Sequence, residues 1–216
     1  MKTKIRRFLA RIPFFGILIE LYLLKNQYLK DIGWNLSIKK GLPIDNNGLA
    51  IPWFTYPSIK FLEERLNHDL KVFEFGSGHS TLWFKDKVKS IISVEHHQGW
   101  FNKMKPVLND NPTVTYLYRQ LENHSYSTSV LDYKEEFDVI ILDGRNRVEC
   151  CLNSIQALTK QGIIIWDNSD RAKYSKGYNF LVSQGFKRLD FWGLGPINSY
   201  SWCTSIFYKD NNCLTL

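Results

Sequence analysis

Residues 72–81 read VFEFGSGHST, from Val72 through Glu74, Gly76, Ser77 and Gly78 to Ser80 and Thr81. Val72, Phe73 and Phe75 favour a buried strand, whereas Gly76 and Gly78 let the chain turn sharply and approach a ligand with no side chain between. An aromatic-rich helical run follows, so the stretch reads as strand, tight turn and helix start. The N–H groups of His79 to Thr81 then lie at the positive end of that helix, where an anionic group is held. A second strand, Ser90 to Val94, ends in Glu95, 17 residues beyond Gly78. A β-α-β unit presents such a carboxylate to ribose hydroxyls. The dinucleotide fingerprint G-x-G-x-x-G places its third glycine at position 81, which is Thr81 here.

Two further runs have the same logic of an apolar strand ending in an acid. FDVIILDGRNR, residues 137–147, carries the near-continuous apolar run Val139 to Leu142 before Asp143, as a central strand covered on both faces requires. GIIIWDNSDR, residues 162–171, ends in Asp167 and Asn168. Ligands of an open α/β sheet bind beyond the carboxyl ends of its strands, so these acids point into one crevice with Gly76 and Glu95. Three oxygen ligands there suit a hard divalent cation such as Mg²⁺. The run 119–136 reads as a loop with a short helix, in which His124 and Tyr126 are candidate site residues. Helices are expected over about 147–159 and 174–184, and strands over 186–191 and 203–208. The Gly- and aromatic-rich loop Trp192 to Trp202 between those strands offers a substrate wall, as does the aromatic group around Trp53.

The pattern acid-x-Gly-x-Gly, with Glu74 two residues before Gly76, resembles the first motif of the class I S-adenosylmethionine-dependent methyltransferases, and motif order extends the resemblance over roughly 53–208. It implies a Rossmann-like α/β fold: a seven-stranded sheet closed by a C-terminal antiparallel hairpin. It further implies that Gly76, Ser77, Gly78, Ser80 and Thr81 meet the methionine end of the cofactor. Glu74 would support the turn and the cofactor ammonium, Glu95 the ribose and His96 the adenosine, with Asp143 also at the cofactor. The strand-tip acids look like those of the metal-dependent O-methyltransferases of the catechol and macrolide-sugar type, which implies Mg²⁺ on Asp143, Asp167 and Asn168. One position departs: the lysine base of catechol-type enzymes falls on Asn146, flanked by Arg145 and Arg147, and arginine is a poor base. A metal that lowers the acceptor's pKa lessens the need for that lysine. Asp143 and Asp170 are the expected catalytic residues, His96 and His124 further candidate bases, and Arg145 and Arg171 candidates to orient substrate. The expected function is metal-assisted O-methylation of a small molecule, sugar or lipid-linked hydroxyl. The rivals are an NAD-dependent oxidoreductase, opposed by Thr81 and the closing hairpin, and a non-catalytic membrane-surface adaptor.

The net charge of +7 over 216 residues is confined to the start of the chain. Residues 1–40 hold nine Lys or Arg against Glu20 and Asp31, and the remainder balances 19 basic with 19 acidic residues. A neutral body argues against nucleic acid as a partner. Cys150, Cys151, Cys203 and Cys213 show neither C-x-x-C nor disulfide-like spacing, which fits a reducing compartment. The chain divides into an N-terminal helical arm and connector, 1–50, and a catalytic domain, 51–216. The arm opens with Lys2, Lys4, Arg6, Arg7 and Arg11, then runs apolar from Ile12 to Leu24, broken by Pro13 and Glu20. That run is shorter than the roughly 20 apolar residues of a membrane span, and no signal-peptide cleavage site follows. The arm either packs on the body or a second subunit, or lies on an anionic membrane through residues 1–30. The expected location is the cytoplasm, at the inner face of the membrane. Gly33 to Asn47, rich in Gly, Pro, Asn and Asp, reads as a connector.

Overall fold

The computed structural model describes residues 13–216. Seven strands form one sheet: β1 (Lys71–Phe75), β2 (Ser90–Glu95), β3 (Val114–Tyr118), β4 (Phe137–Leu142), β5 (Leu158–Asp167), β6 (Lys187–Gly193) and β7 (Trp202–Tyr208). Their order is β3-β2-β1-β4-β5-β7-β6. The first five are parallel, and β7 enters antiparallel between β5 and β6. This is the expected seven-stranded Rossmann-like sheet with its closing hairpin. The order reverses between β1 and β4, so a crevice opens at the carboxyl ends of those two strands, where ligands of such sheets bind.

Strand alternation decides which residues meet which helices. Phe73, Phe75, Ile140, Leu142, Ile164 and Trp166 share one core with Cys150 and Cys151 of α7 (Arg147–Ser154) and Leu181 of α8 (Ser175–Ser183). Val72, Val139, Ile141, Ile163 and Ile165 face the other way, against Ile59 and Leu62 of α3 (Tyr56–Glu63) and Phe84 of α4 (His79–Phe84). A third, smaller cluster packs Met104 and Leu108 of α5 (Gln98–Leu108) on Tyr116. Each fully buried large side chain contributes about 1.5–3 kcal/mol, so the central strands hold the sheet rigid beneath its tips.

Two expectations need correction, and the arm has its own arrangement. The connector 33–47 contains a helix, α2 (Trp34–Lys40), whose ends carry Gly33 and Gly41 in the left-handed conformation. The glycines that suggested a loop are its caps. The helix expected to reach residue 159 stops at Ser154, and a 3₁₀ turn leads into β5 at Leu158, which pairs with Phe137. The arm helix α1 (Pro13–Leu23) runs on through a π-helical turn, Leu24–Tyr28, to Asp31. Its first part leaves its apolar residues exposed, Phe14 at 68% and Ile17 at 62%, with Leu21 and Leu24 also exposed, whereas Leu29 near its end is buried. The basic cluster Lys2 to Arg11, and Ile12, lie outside the described residues. Among the described residues no helix is long and apolar enough to cross a membrane. The run 119–136 holds the short helix α6 (Ser125–Thr128) and a 3₁₀ turn, as expected.

Candidate active site

The turn after β1 is built on a buried acid. Glu74 is fully buried and accepts hydrogen bonds from the hydroxyls of Ser80, Thr81 and Ser93. Thr81 Oγ1 in turn accepts from the Gly78 N–H at 3.1 Å. A third glycine at position 81 would delete this link, so Thr81 belongs to the construction of the turn. Burial pushes Glu74 up to about 7, against the pull of the three hydroxyls. Its Oε1 accepts from Ser80 and its Oε2 from Thr81 and Ser93, so the enclosed carboxylate chiefly holds the turn together. Gly76 has φ +98, and a Cβ on it would lie 3.1 Å from the Asp143 backbone. Only glycine lets the tips of β1 and β4 come this close.

Glu95 is 4% exposed. Its Oε1 accepts from the N–H groups of His96 and His97, at 2.8 and 2.7 Å, and its Oε2 accepts from Ser77 Oγ at 2.9 Å. Burial alone would raise this carboxyl, yet those hydrogen bonds bring it below its usual value. The His96 ring stacks edge-on at 5.5 Å from Tyr126, and its Nδ1, 3.1 Å from Glu95 Oε1, lacks a hydrogen-bond partner. Tyr126 is fully buried, with its hydroxyl against Gly144.

Between these turns and the C-terminal loop opens a cleft of about 700 Å³, within the range of small-molecule sites. Its floor is Ser77 to Ser80 with Asp143 and Asp167, and its walls include Trp53, Trp100, Arg171 and Tyr200. The arm shapes the rim: Trp34 Nε1 donates to Asn198 O at 2.7 Å, and the Ile197 N–H donates to Ser37 Oγ at 3.1 Å. Ile197, Asn198 and Tyr200 of loop 192–202 line one side of the cleft.

Arg147 bridges the β4 and β5 tips, through the Asp143 carboxylate and the Asp167 backbone carbonyl. Arg147 Nη2 is 2.9 Å from Asp143 Oδ1, and Arg147 Nη1 donates to the Asp167 carbonyl. Asp167 Oδ1 also accepts from Thr204 Oγ1 at 2.7 Å and Trp202 Nε1 at 2.9 Å. Burial pushes the carboxyl of Asp143 well up, opposed by Arg147. Asp167 moves the same way, opposed by Arg147 and by its Thr204 and Trp202 bonds. Asn168, with φ +52, turns the chain away from β5 and lines the cleft.

The donor set does not fit the divalent cation that the metal-dependent resemblance implies. Arg147 already supplies positive charge beside Asp143 Oδ1, and Asp167 Oδ1 is engaged by two donors. A dication about 4 Å from that guanidinium would be repelled by about 8 kcal/mol at an effective dielectric of 20. Among the described residues no group of three or more His, Cys, Asp or Glu is disposed to hold a metal.

Several expected residues stay outside the cleft. Asp170 is exposed, and its Oδ1 accepts from the Cys203 N–H at 3.2 Å. His124 is exposed and 2.8 Å from Glu149. Arg145 is exposed, whereas Arg171 does line the cleft. Asn146 has φ +49, a left-handed conformation that asparagine accepts more readily than most residues. Arg147, Lys103 and Trp100, with Gly41 to Pro43, line the cleft without having been singled out as site residues, and His79 was expected there only through its backbone N–H. The His79 imidazole is pushed down by burial and by nearby Lys103. The one signal available for Arg147 was its place four residues after Asp143, on the first turn of a helix.

No family model and no curated relative matches the chain. Solved structures do. A putative methyltransferase from Streptococcus mutans in complex with SAH superposes with TM-score 0.53 at 14% identity, over 70% of this chain and 96% of that one. Precorrin-6y C5,15-methyltransferase from Geobacter metallireducens gives TM-score 0.58 at 16% identity, over 78% and 98%. A spermidine synthase bound to the transition-state analogue AdoDATO gives 0.53 at 19%, where the match covers 71% of this chain and 57% of the synthase. The fold is therefore the one used by S-adenosylmethionine-dependent methyltransferases and by a related aminopropyl-transferring enzyme.

Proposed function

We propose that this chain is an S-adenosylmethionine-dependent methyltransferase acting on a hydroxyl of a sugar or lipid-linked acceptor. The observation that carries the reading is the placement of Ser77–Ser80, Asp143 and Asp167 around one cleft at the carboxyl ends of a β3-β2-β1-β4-β5-β7-β6 sheet, with Glu95 buried beside it at the β2 tip and bonded to Ser77. In this reading the turn and the first N–H groups of α4 meet the methionine end, and Glu95 takes the ribose. Asp143 is the base. Its side chain keeps 21% of its surface open to the cleft, and a carboxyl raised by enclosure is better matched to taking a proton near neutral pH. Alignment of oxygen, methyl carbon and sulfur supplies most of the remaining rate.

The acceptor class follows from the walls. Trp53, Trp100 and Tyr200 offer aromatic faces, and Lys103, Arg171 and Asn198 offer donors, a mixture that suits a polar ring with hydroxyl or anionic substituents. The exposed arm helix adds attachment to an anionic bilayer, which would bring a lipid-linked acceptor near the cleft rim that the arm helps to form. The test is transfer of labelled methyl from S-adenosylmethionine to sugar- and lipid-linked fractions. Asp143→Asn is expected to lower transfer by about 10²–10⁴-fold while S-adenosylhomocysteine still binds. Unchanged transfer by the variant removes Asp143 as base.

A further inference from the structure

Arg147 opens α7 and is 7% exposed. Nearly all of its donor capacity is spent at the β4 and β5 tips. Nε donates to Gly144 O at 3.0 Å, Nη2 to Asp143 Oδ1 at 2.9 Å and Asp143 O at 3.2 Å, and Nη1 to Asp167 O. One side chain therefore ties two neighbouring strand ends together and stands beside both acids in the cleft wall. A buried guanidinium is costly unless its partners are fixed, and here the backbone of both tips fixes it.

We propose that Arg147 supplies the positive charge that a divalent cation would otherwise bring to Asp143 and Asp167, so that transfer in this cleft runs without a metal. The proposal rests on the methyl-transfer reading above. In that step the acceptor oxygen bonds to the methyl carbon of the S-adenosyl sulfonium donor. The carbon–sulfur bond breaks with its electron pair left on sulfur, giving a neutral thioether. The hydroxyl proton passes to Asp143 Oδ2, the oxygen that Arg147 does not hold. Arg147 is thus a positioning residue that acts through Asp143.

The test uses the full chain and Mn²⁺ as probe, with bound metal followed by its electron paramagnetic resonance signal. Wild type is expected to take up no stoichiometric Mn²⁺ up to about 1 mM, the weak end of oxygen-ligand sites. Arg147→Met removes the counter-charge and is expected to bind Mn²⁺ roughly tenfold or more tightly. Arg147→Lys keeps the charge and is expected to resemble wild type. A merely structural role for Arg147 predicts no gain of metal affinity in any variant. Micromolar, one-to-one Mn²⁺ binding by wild type that Asp143→Asn abolishes overturns the proposal. So does a folded Arg147→Met that binds no more than wild type. Should Arg147→Met fail to fold, Arg147→Gln makes the same comparison, and the wild-type titration stands by itself. A parallel S-adenosylhomocysteine titration keeps the two readings apart: absence of binding to wild type sinks the methyl-transfer reading whatever Mn²⁺ does. Binding unaltered by chelator is the expected result.

Discussion

Glu74 is a carboxyl that makes the cofactor turn without entering the cleft. Its folded value of about 7 lies above the ordinary 4.5, so the sign follows directly. The stability it contributes is fully present below about pH 4.5 and is lost as pH rises through about 7. A shift of this size corresponds to about 3 kcal/mol. Urea denaturation of wild type should therefore lose stability over that window, and Glu74→Gln should flatten the slope. An equal slope in both would show that another group titrates there. The sequence made the acid and glycines of this turn legible because their spacing reports a backbone requirement. It did not show that the Thr81 hydroxyl bridges Gly78 and Glu74. Nor did it show Arg147 between the two acids, since that arginine's role depends on β4 and β5 lying side by side.

Elements were legible where burial imposed a pattern and obscure where pairing or caps decided. The apolar runs 139–142 and 163–166 announced central strands. The early start of β5 at Leu158 depends on its partner Phe137, and no local pattern reports it. Helix α2 was hidden because its capping glycines look like loop residues. Helix α8 carries a different lesson in Gly177. Alanine is favoured over glycine in a helix by about 1 kcal/mol, but a Cβ at Gly177 would lie 2.4 Å from the fully buried Trp166 ring. Overpacking of this kind costs about 1–3 kcal/mol, so the clash outweighs the propensity. Gly177→Ala is expected to lower the thermal midpoint by several degrees, whereas a rise would show that Trp166 yields freely.

Across the whole molecule, charge and apolar exposure are segregated. The excess positive charge belongs to residues 1–40, the body is balanced, and the arm helix presents Phe14, Ile17, Leu21 and Leu24 to solvent. Attachment of an apolar helix next to a basic cluster gains about 1 kcal/mol per Lys or Arg from an anionic surface. Removing residues 1–30 should abolish co-sedimentation with phosphatidylserine vesicles and leave a folded body; equal sedimentation of both forms would refute membrane attachment. The sheet, the turn and the strand-tip acids all serve one proposition, that a single cleft takes an S-adenosyl cofactor through Gly76–Gly78 and Glu95. Isothermal titration with S-adenosylhomocysteine, with NADH as control, tests it most directly. One-to-one binding to wild type, no heat with NADH, and affinity lowered roughly tenfold or more by Glu95→Ala are expected; NADH binding without S-adenosylhomocysteine binding would contradict a cofactor site built on Gly76–Gly78 and Glu95.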